Sequence, residues 1–455
     1  LNRRILLFMA TRSPVGGVAT WLDRFCRHMD DQGWKTTVAL VRGQREHDPA
    51  RFRKFHSNLN TVQVDGRGLD REGRIRACRR AIRKANPIAV LPLGVLDANA
   101  SVVREKVAGR AVHLIGRAQG NLPAMLADLQ DLRDGLDHVV CVGAMTRRYL
   151  IRYAGFESER VTHVPNGASR ATTERRPRTD GPIRLGYVGR LSIEDKRVLD
   201  IPILCRHLVG RGVPFHLTIV GSGPAEKPLR DQLAEFGDRV RMVGFKNSEQ
   251  VYSEYLPDFD LLLLFSSSET FGVALAEAMM NGVVPVTSRY LGFESERLVV
   301  DGKHGLSYPV GEMSAAADAI EKLTRSPQLM KSLSLAGKRH AEEQYSWDVC
   351  QRQWLALIER VTAEHPITPG KDLCQSRNDD SGRLDRWGIP PAWVDTVRQL
   401  RRRMIRSGWQ DGVEWPLFHR THSPERLAEI DRSCRAIETE QRSQSSEIKQ
   451  TAGKR

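Results

Sequence analysis

Short apolar runs alternate with stretches of helical spacing along most of this chain, and the whole pattern is laid down twice. Residues 4–10 (RILLFMA) read as a strand buried on both faces; residues 11–17 form a glycine-containing loop, and an amphipathic helix follows over 18–31. Further apolar runs come at 36–41, 88–93, 112–115 and 139–142, with helical spacing between several of them. Such runs lack the polar alternation of a half-exposed strand, so they predict parallel strands joined by crossover helices. A polar, turn-rich stretch at 166–182 interrupts the pattern, which then restarts. Strands are predicted at 183–188, 215–220, 240–243, 261–265 and 283–287, and helices near 199–211, 227–236 and 271–281. Each half is therefore expected to bind ligands where its strands end, at their carboxyl termini.

A length of 455 residues suits two or three such units. With 40% hydrophobic and 27% charged residues the composition is globular. Lys and Arg outnumber Asp and Glu by 70 to 55, a formal charge of +15, which favours anionic partners without choosing among nucleic acid, lipid headgroups and phosphorylated substrates. Seven cysteines are scattered without a CxxC pair, which predicts neither a disulfide framework nor a zinc site and fits a reducing cytoplasm. The apolar stretch at 5–10 is too short for a signal sequence or a membrane span, so a chain that crosses no membrane is expected.

The segment 260–285, DLLLLFSSSETFGVALAEAMMNGVVP, carries most of the chemistry. A buried strand runs into a serine-rich turn, Glu269 precedes a glycine and a helix start, and Glu277 follows eight residues later. Free amides at a helix start suit a phosphate. Helical spacing would set the two acids ~12 Å apart, too far for one shared proton-transfer task, so they are expected to grip different parts of one elongated ligand.

This stretch resembles the E-x7-E region of the family 4 retaining glycosyltransferases, and other landmarks follow in the family's order. Gly186-Tyr187-Val188-Gly189-Arg190-Leu191 with Lys196 resembles the element that contacts the donor diphosphate. Residues 218–224 (TIVGSGP) resemble the strand and turn with Gly221 and Gly223; residues 164–167 (VPNG) resemble the domain boundary; Tyr345-Ser346-Trp347 and the helix to Val361 resemble the closing helix. The resemblance covers roughly residues 4–361 and implies an α/β fold of GT-B architecture, two Rossmann-like domains facing across a cleft, plus a C-terminal helical extension. The domains implied are 1–170 on the acceptor side, a linker at 171–182, a nucleotide-sugar domain at 183–345, a closing helix at 346–364, and a basic, Trp-containing extension at 365–455 whose end, 440–455, is expected to be disordered.

The same resemblance implies residue roles. Arg190 and Lys196 would neutralise the diphosphate, Glu269 would face the donor sugar, and Glu277 would accept from the ribose hydroxyls. Amides at Phe271, Gly272 and Val273 would add phosphate donors; Gly189, Gly221 and Gly223, with Gly16 and Gly17 in the first domain, would admit the donor or acceptor closely. Family members usually carry a histidine near the sugar; here Gln119, beside Gly120, stands in that place, with His113 inside the apparent strand held in reserve. Gly143 stands where the family often has serine, so a polar contact is expected to be lost. Asp258-Phe259-Asp260 matches a metal-binding DxD only superficially, since it precedes its strand.

The activity implied is retaining, metal-independent hexosyl transfer from a nucleotide-diphosphate sugar, with no separate cofactor, to a glycan or lipid-linked acceptor in bacterial envelope assembly. A catalytically silent nucleotide-sugar-binding subunit and a GT-B epimerase stay open as alternatives, and no specific nucleic acid is expected. Residues 393–409 (WVDTVRQLRRRMIRSGW) read as a basic amphipathic helix. It either lies on the anionic inner face of a membrane or docks on the protein and shows its arginines to water. The expected location is accordingly cytoplasmic, with peripheral membrane attachment as the variant.

Overall fold

The computed structural model describes residues 2–12, 16–43, 47–171, 173, 181–374, 393, 415–418 and 422–452. The chain divides into two compact units. The first comprises Leu1–Val142, Thr146–Val164 and Gln351–Ser433; the second comprises Gly143–Met145, Pro165–Cys350 and Cys434–Arg455.

The first unit is built on a seven-stranded sheet in the order β3-β2-β1-β4-β5-β6-β7, all neighbours parallel. Its strands are β1 (Arg4–Ala10), β2 (Lys35–Arg42), β3 (Thr61–Asp65), β4 (Ala89–Leu93), β5 (His113–Ala118), β6 (His138–Cys141) and β7 (Val161–His163). Residues Ile5 to Phe8 of the central strand are buried, as an apolar run between two helical layers requires. The helix Gly17–Asp31 turns Trp21, Leu22, Phe25 and Met29 inward at helical spacing. From the helix Trp347–Ala363, Trp354 packs on the rings of Trp21 and Phe25, with centroids 5.1 and 5.3 Å away. Pro92 sits in β4, an unusual place for a residue that cannot donate to a ladder. Pairing of β4 with β5 is limited to Ala89–His113 and Val90–Leu114, so the missing N–H falls beyond that ladder.

The second unit repeats the design with six parallel strands in the order β10-β9-β8-β11-β12-β13. They are β8 (Ile183–Val188), β9 (Phe215–Val220), β10 (Val240–Gly244), β11 (Leu261–Leu264), β12 (Val284–Ser288) and β13 (Leu306–Tyr308). In both sheets the order reverses beside the first strand, between β1 and β4 and between β8 and β11, and such switch points are where open α/β sheets take ligands. Asp260, fully buried just ahead of β11, accepts from the Arg184 guanidinium at 2.8 and 3.1 Å and from its amide at 3.0 Å. That engagement gives Asp260 a structural part in the sheet. Among the described residues no cluster of His, Cys, Asp or Glu has the makings of a metal site.

The C-terminal extension departs from expectation. Residues 440–452 do not hang loose but continue the helix Pro424–Ala452. The Glu, Gln, Ser and Lys taken for a disordered tail are compatible with helix, and Ile430, Cys434 and Ile437 upstream are buried and give the helix an apolar footing. In the first unit Trp415 is buried and donates its indole N–H to the Arg42 carbonyl at 3.1 Å; His422 meets Asp128 at 2.7 Å, and Arg426 meets Asp131 at 2.8 Å. Of the basic helix predicted at 393–409, residues 394–409 lie outside the described residues. No described helix is long and apolar enough to cross a membrane.

Candidate functional site

At the carboxyl end of β8, the backbone of residues 189–191 lies against the turn that follows β9. Gly189 N–H donates to Val220 and Leu191 N–H to Ser222, both at 3.0 Å, and Ala225 N–H donates back to Leu191 at 3.0 Å. A Cβ on Gly221 would stand 1.8 Å from the Gly189 carbonyl oxygen, and one on Gly223 2.2 Å from that of Leu191. The close approach these glycines allow is thus first of all between two loops of the protein, which fixes where Arg190 leaves the backbone.

The loop from Arg190 to Lys196 is anchored to the turn after β11. Ser267 N–H donates to the Asp195 carbonyl at 2.9 Å, and the Ser267 hydroxyl donates to the Glu194 carbonyl at 3.2 Å. Across this seam Lys196 donates directly to the Glu269 carboxylate, which also accepts from the Ser266 hydroxyl at 2.6 Å. Arg190 is more exposed and pairs with Asp195 at 2.7 Å. Burial raises the Asp195 carboxyl, but hydrogen bonds from Ser192 and Arg190 and the charges of Arg190 and Lys196 win and hold it below the usual carboxylate range. The two cations and the first acid therefore belong to one hydrogen-bonded cluster at the β8/β11 switch point.

Glu269 precedes the helix instead of lying on it. Its amide donates to Leu291 at 3.3 Å, beside a bridge between Ser268 and Leu291, and the helix spans only Val273–Met280. The ~12 Å helical separation of Glu269 and Glu277 therefore does not apply. Gly272 caps that helix at φ 90°, a conformation that favours glycine. Phe271 is core, its ring packed on Tyr345 at 5.2 Å, so only its backbone has a part to play in binding. Glu277 accepts from the Tyr252 hydroxyl. Tyr290 is buried close to the Gly272 turn, and burial followed by the Glu269 charge raises its hydroxyl well above the ordinary tyrosine value. A Cβ at Gly143 would meet the Thr270 carbonyl oxygen at 2.4 Å, so serine there does not fit without movement.

In the first unit a cavity of about 350 Å³ opens at the carboxyl ends of β1, β4 and β5, with Gly16, Gly17 and Gln119 in its lining. Gln119 follows directly on β5 and is half-buried. His113 begins that strand, buried at the opposite end, with Nδ1 3.7 Å from Asp137. The reserve candidate is thereby a core histidine. Gly16 has φ 137°, which calls for glycine; a Cβ on Gly17 would meet nothing within 4 Å.

Sequence reasoning missed Ser192, Asp195, Ser266 and Tyr252. Asp195 and Ser266 had a local signal, one lying between the two cations and the other opening the turn before Glu269. Tyr252 had none, because 25 residues separate it from Glu277.

Two family models match the chain: one described as Glycosyltransferase Family 4 over residues 15–171, and one described as Glycosyl transferases group 1 over residues 170–340. The amylovoran biosynthesis glycosyltransferase AmsK of Erwinia amylovora is 31% identical over 189 residues, 40% of this chain and 45% of that protein. The phosphatidyl-myo-inositol mannosyltransferase of Mycobacterium leprae is 28% identical over 230 residues, 49% and 59% of the two chains. The chain thus spans about half the length of the curated relatives it matches. Among solved structures, Anabaena Alr3699/HepE in complex with UDP and glucose superposes with a TM-score of 0.64 at 17% identity, covering 78% of this chain and 99% of that one. Likeness at that identity speaks for the fold, two Rossmann-like domains of the GT-B kind.

Proposed function

Because the chain belongs to the family 4, group 1 glycosyltransferases, we propose that it transfers a hexose from a nucleotide-diphosphate sugar to a glycan or lipid-linked acceptor with retention at the anomeric carbon. The observation that carries this reading is the contact of Lys196 with Glu269, with Arg190 held in the same cluster through Asp195. An apposed cation and carboxylate are what a sugar diphosphate demands: positive charge for the phosphates, an acceptor for sugar hydroxyls.

On binding, the diphosphate takes Lys196 from Glu269 and Arg190 from Asp195, and the freed Glu269 accepts from the sugar. Arg190 forks to two phosphate oxygens while Lys196 follows the charge as a mobile point. As the bond from the anomeric carbon to the phosphate oxygen breaks, both cations and the amides at Gly272 and Val273 neutralise the leaving group. The acceptor oxygen bonds to the anomeric carbon from the same face and gives its proton to the departing phosphate oxygen. Glu277, oriented by Tyr252, takes the ribose hydroxyls. With that much fixed positive charge the reaction proceeds without a divalent ion. Envelope polysaccharide or glycolipid assembly on the cytoplasmic face of a bacterial membrane is the setting we favour, supported by the names of the relatives above.

Glu269→Gln and Arg190→Ala test the assignment against a panel of nucleotide sugars. Each is expected to lower turnover by roughly 10²-fold or more and to leave thermal unfolding nearly unchanged; wild-type turnover in either would refute it. Retention is read from the anomeric configuration of the product by NMR, and metal independence from turnover in EDTA.

A further inference from the structure

We propose that the cavity in the first unit holds the apolar portion of the acceptor, and that Leu417, from a segment beyond the family-matched residues, sets how long that portion can be. The binding statement stands by itself; that the occupant is the acceptor rests on the function proposed above.

The cavity opens at the switch point between β1 and β4, and its volume of about 350 Å³ falls in the range of small-molecule sites. Met9, Leu93, Leu96, Met125, Leu129 and Leu417 make most of its wall apolar. Three charged side chains also stand in that wall, the exposed Arg12 together with Arg117 and Asp128. Asp128 is held by His422 at 2.7 Å, and the Arg117 guanidinium lies 3.8 Å above the Trp21 ring. Against the apolar part of the wall an alkyl or ring body gains by leaving water, whereas a charged group would be desolvated there.

Leu417 is not an incidental neighbour. Its segment is fixed on both sides, by Trp415 against Gly66, where a Cβ would lie 2.3 Å from the indole, and by the His422–Asp128 and Arg426–Asp131 pairs. Pro416 accepts from the Leu96 amide at 3.4 Å, and Leu417 reaches within 2.9 Å of where a Gly94 Cβ would stand. Even so, Leu417 is 45% exposed, so one face of it remains for a ligand. The extension places an apolar stop on a cavity that residues between 9 and 132 otherwise form.

The test uses the full chain and a series of methyl, butyl, hexyl and octyl β-D-glucosides, below micelle formation, titrated by calorimetry. Affinity is expected to tighten by up to roughly fourfold for each methylene that enters, and then to level off. Leu417→Ala should move the plateau to a longer tail. Leu417→Trp should shorten it and weaken octyl binding at least about tenfold, and Met125→Trp, from another part of the wall, should do the same if the first variant folds poorly. Affinity that ignores tail length, or an identical series in wild type and both tryptophan variants, would overturn the inference. UDP titrated into the same preparation reads the second unit. GDP, ADP and TDP are titrated alongside it: binding of any one of the four with a flat glucoside series defeats the cavity alone, whereas a tail-dependent series with none of them bound upholds the cavity and defeats the donor reading.

Discussion

Replacing Gly221 by alanine places a methyl group where the Gly189 carbonyl oxygen already sits. The built Cβ lies 1.8 Å from that oxygen, and contacts under 3.0 Å are essentially never seen. The loop must retreat by about 1.2 Å, and because the obstacle is backbone no rotamer change relieves it. Overpacking of this kind costs ~1–3 kcal/mol, and a side chain at φ 148° adds roughly 1 kcal/mol. Spread over a unit of this size, the loss should lower its Tm by roughly 5–15 °C. The same retreat strains the hydrogen bonds of Gly189 to Val220 and Leu191 to Ser222, which set the exit of Arg190. A displacement near 1 Å in a positioning element commonly costs ~10²-fold in rate. The assay is differential scanning calorimetry with UDP titration and donor turnover on Gly221→Ala. Gly210→Ala serves as the control, since its Cβ meets nothing within 4 Å. If Gly221→Ala matched wild type in Tm and in UDP affinity, the claim that this glycine exists to bring two loops together would be wrong.

Two further outcomes concern the extension. Trp415→Ala removes a buried indole and its hydrogen bond to Arg42, so the first unit should lose ~3–5 kcal/mol in a urea titration, and limited proteolysis should release the chain beyond residue 415. Glu438 accepts from the amides of Glu294 and Ser295 at 2.9 and 3.2 Å, yet burial outweighs those bonds and raises its carboxyl above the ordinary value. The folded state then holds that proton more tightly than the unfolded one, so the group's contribution is full below about pH 4.3 and fades as the pH rises through the folded value. Glu438→Gln should therefore match wild-type Tm near pH 4 and exceed it near pH 7.

The strands were legible because a fully buried parallel strand leaves an uninterrupted apolar run. Residues 5–10 show this, and 183–188 and 215–220, though interrupted by Arg184 and by His216 and Thr218, still match their strands end for end. β3, β7 and β13 escaped notice, being three to five residues long and partly exposed, too short for a period to show. The tail was misjudged for a related reason: composition describes an average, and three buried side chains at 430, 434 and 437 suffice to seat a helix whose remaining residues look solvated.

Within the site, the sequence alone specified the chemical types and their places on the chain: cations after one strand, an acid and a serine turn after another, glycines where a Cβ cannot stand. Residue type is legible along the chain even where, as at Gly221 and Gly223, a distant stretch of backbone is what excludes the Cβ. Only the tertiary structure decided which charges meet. Lys196 reaches Glu269 across 73 residues, Tyr252 reaches Glu277, and Leu417 reaches a cavity that begins at residue 9. Partners so distant are brought together by strand order and by docking of the extension, and neither writes a periodic signal into the residues that finally touch.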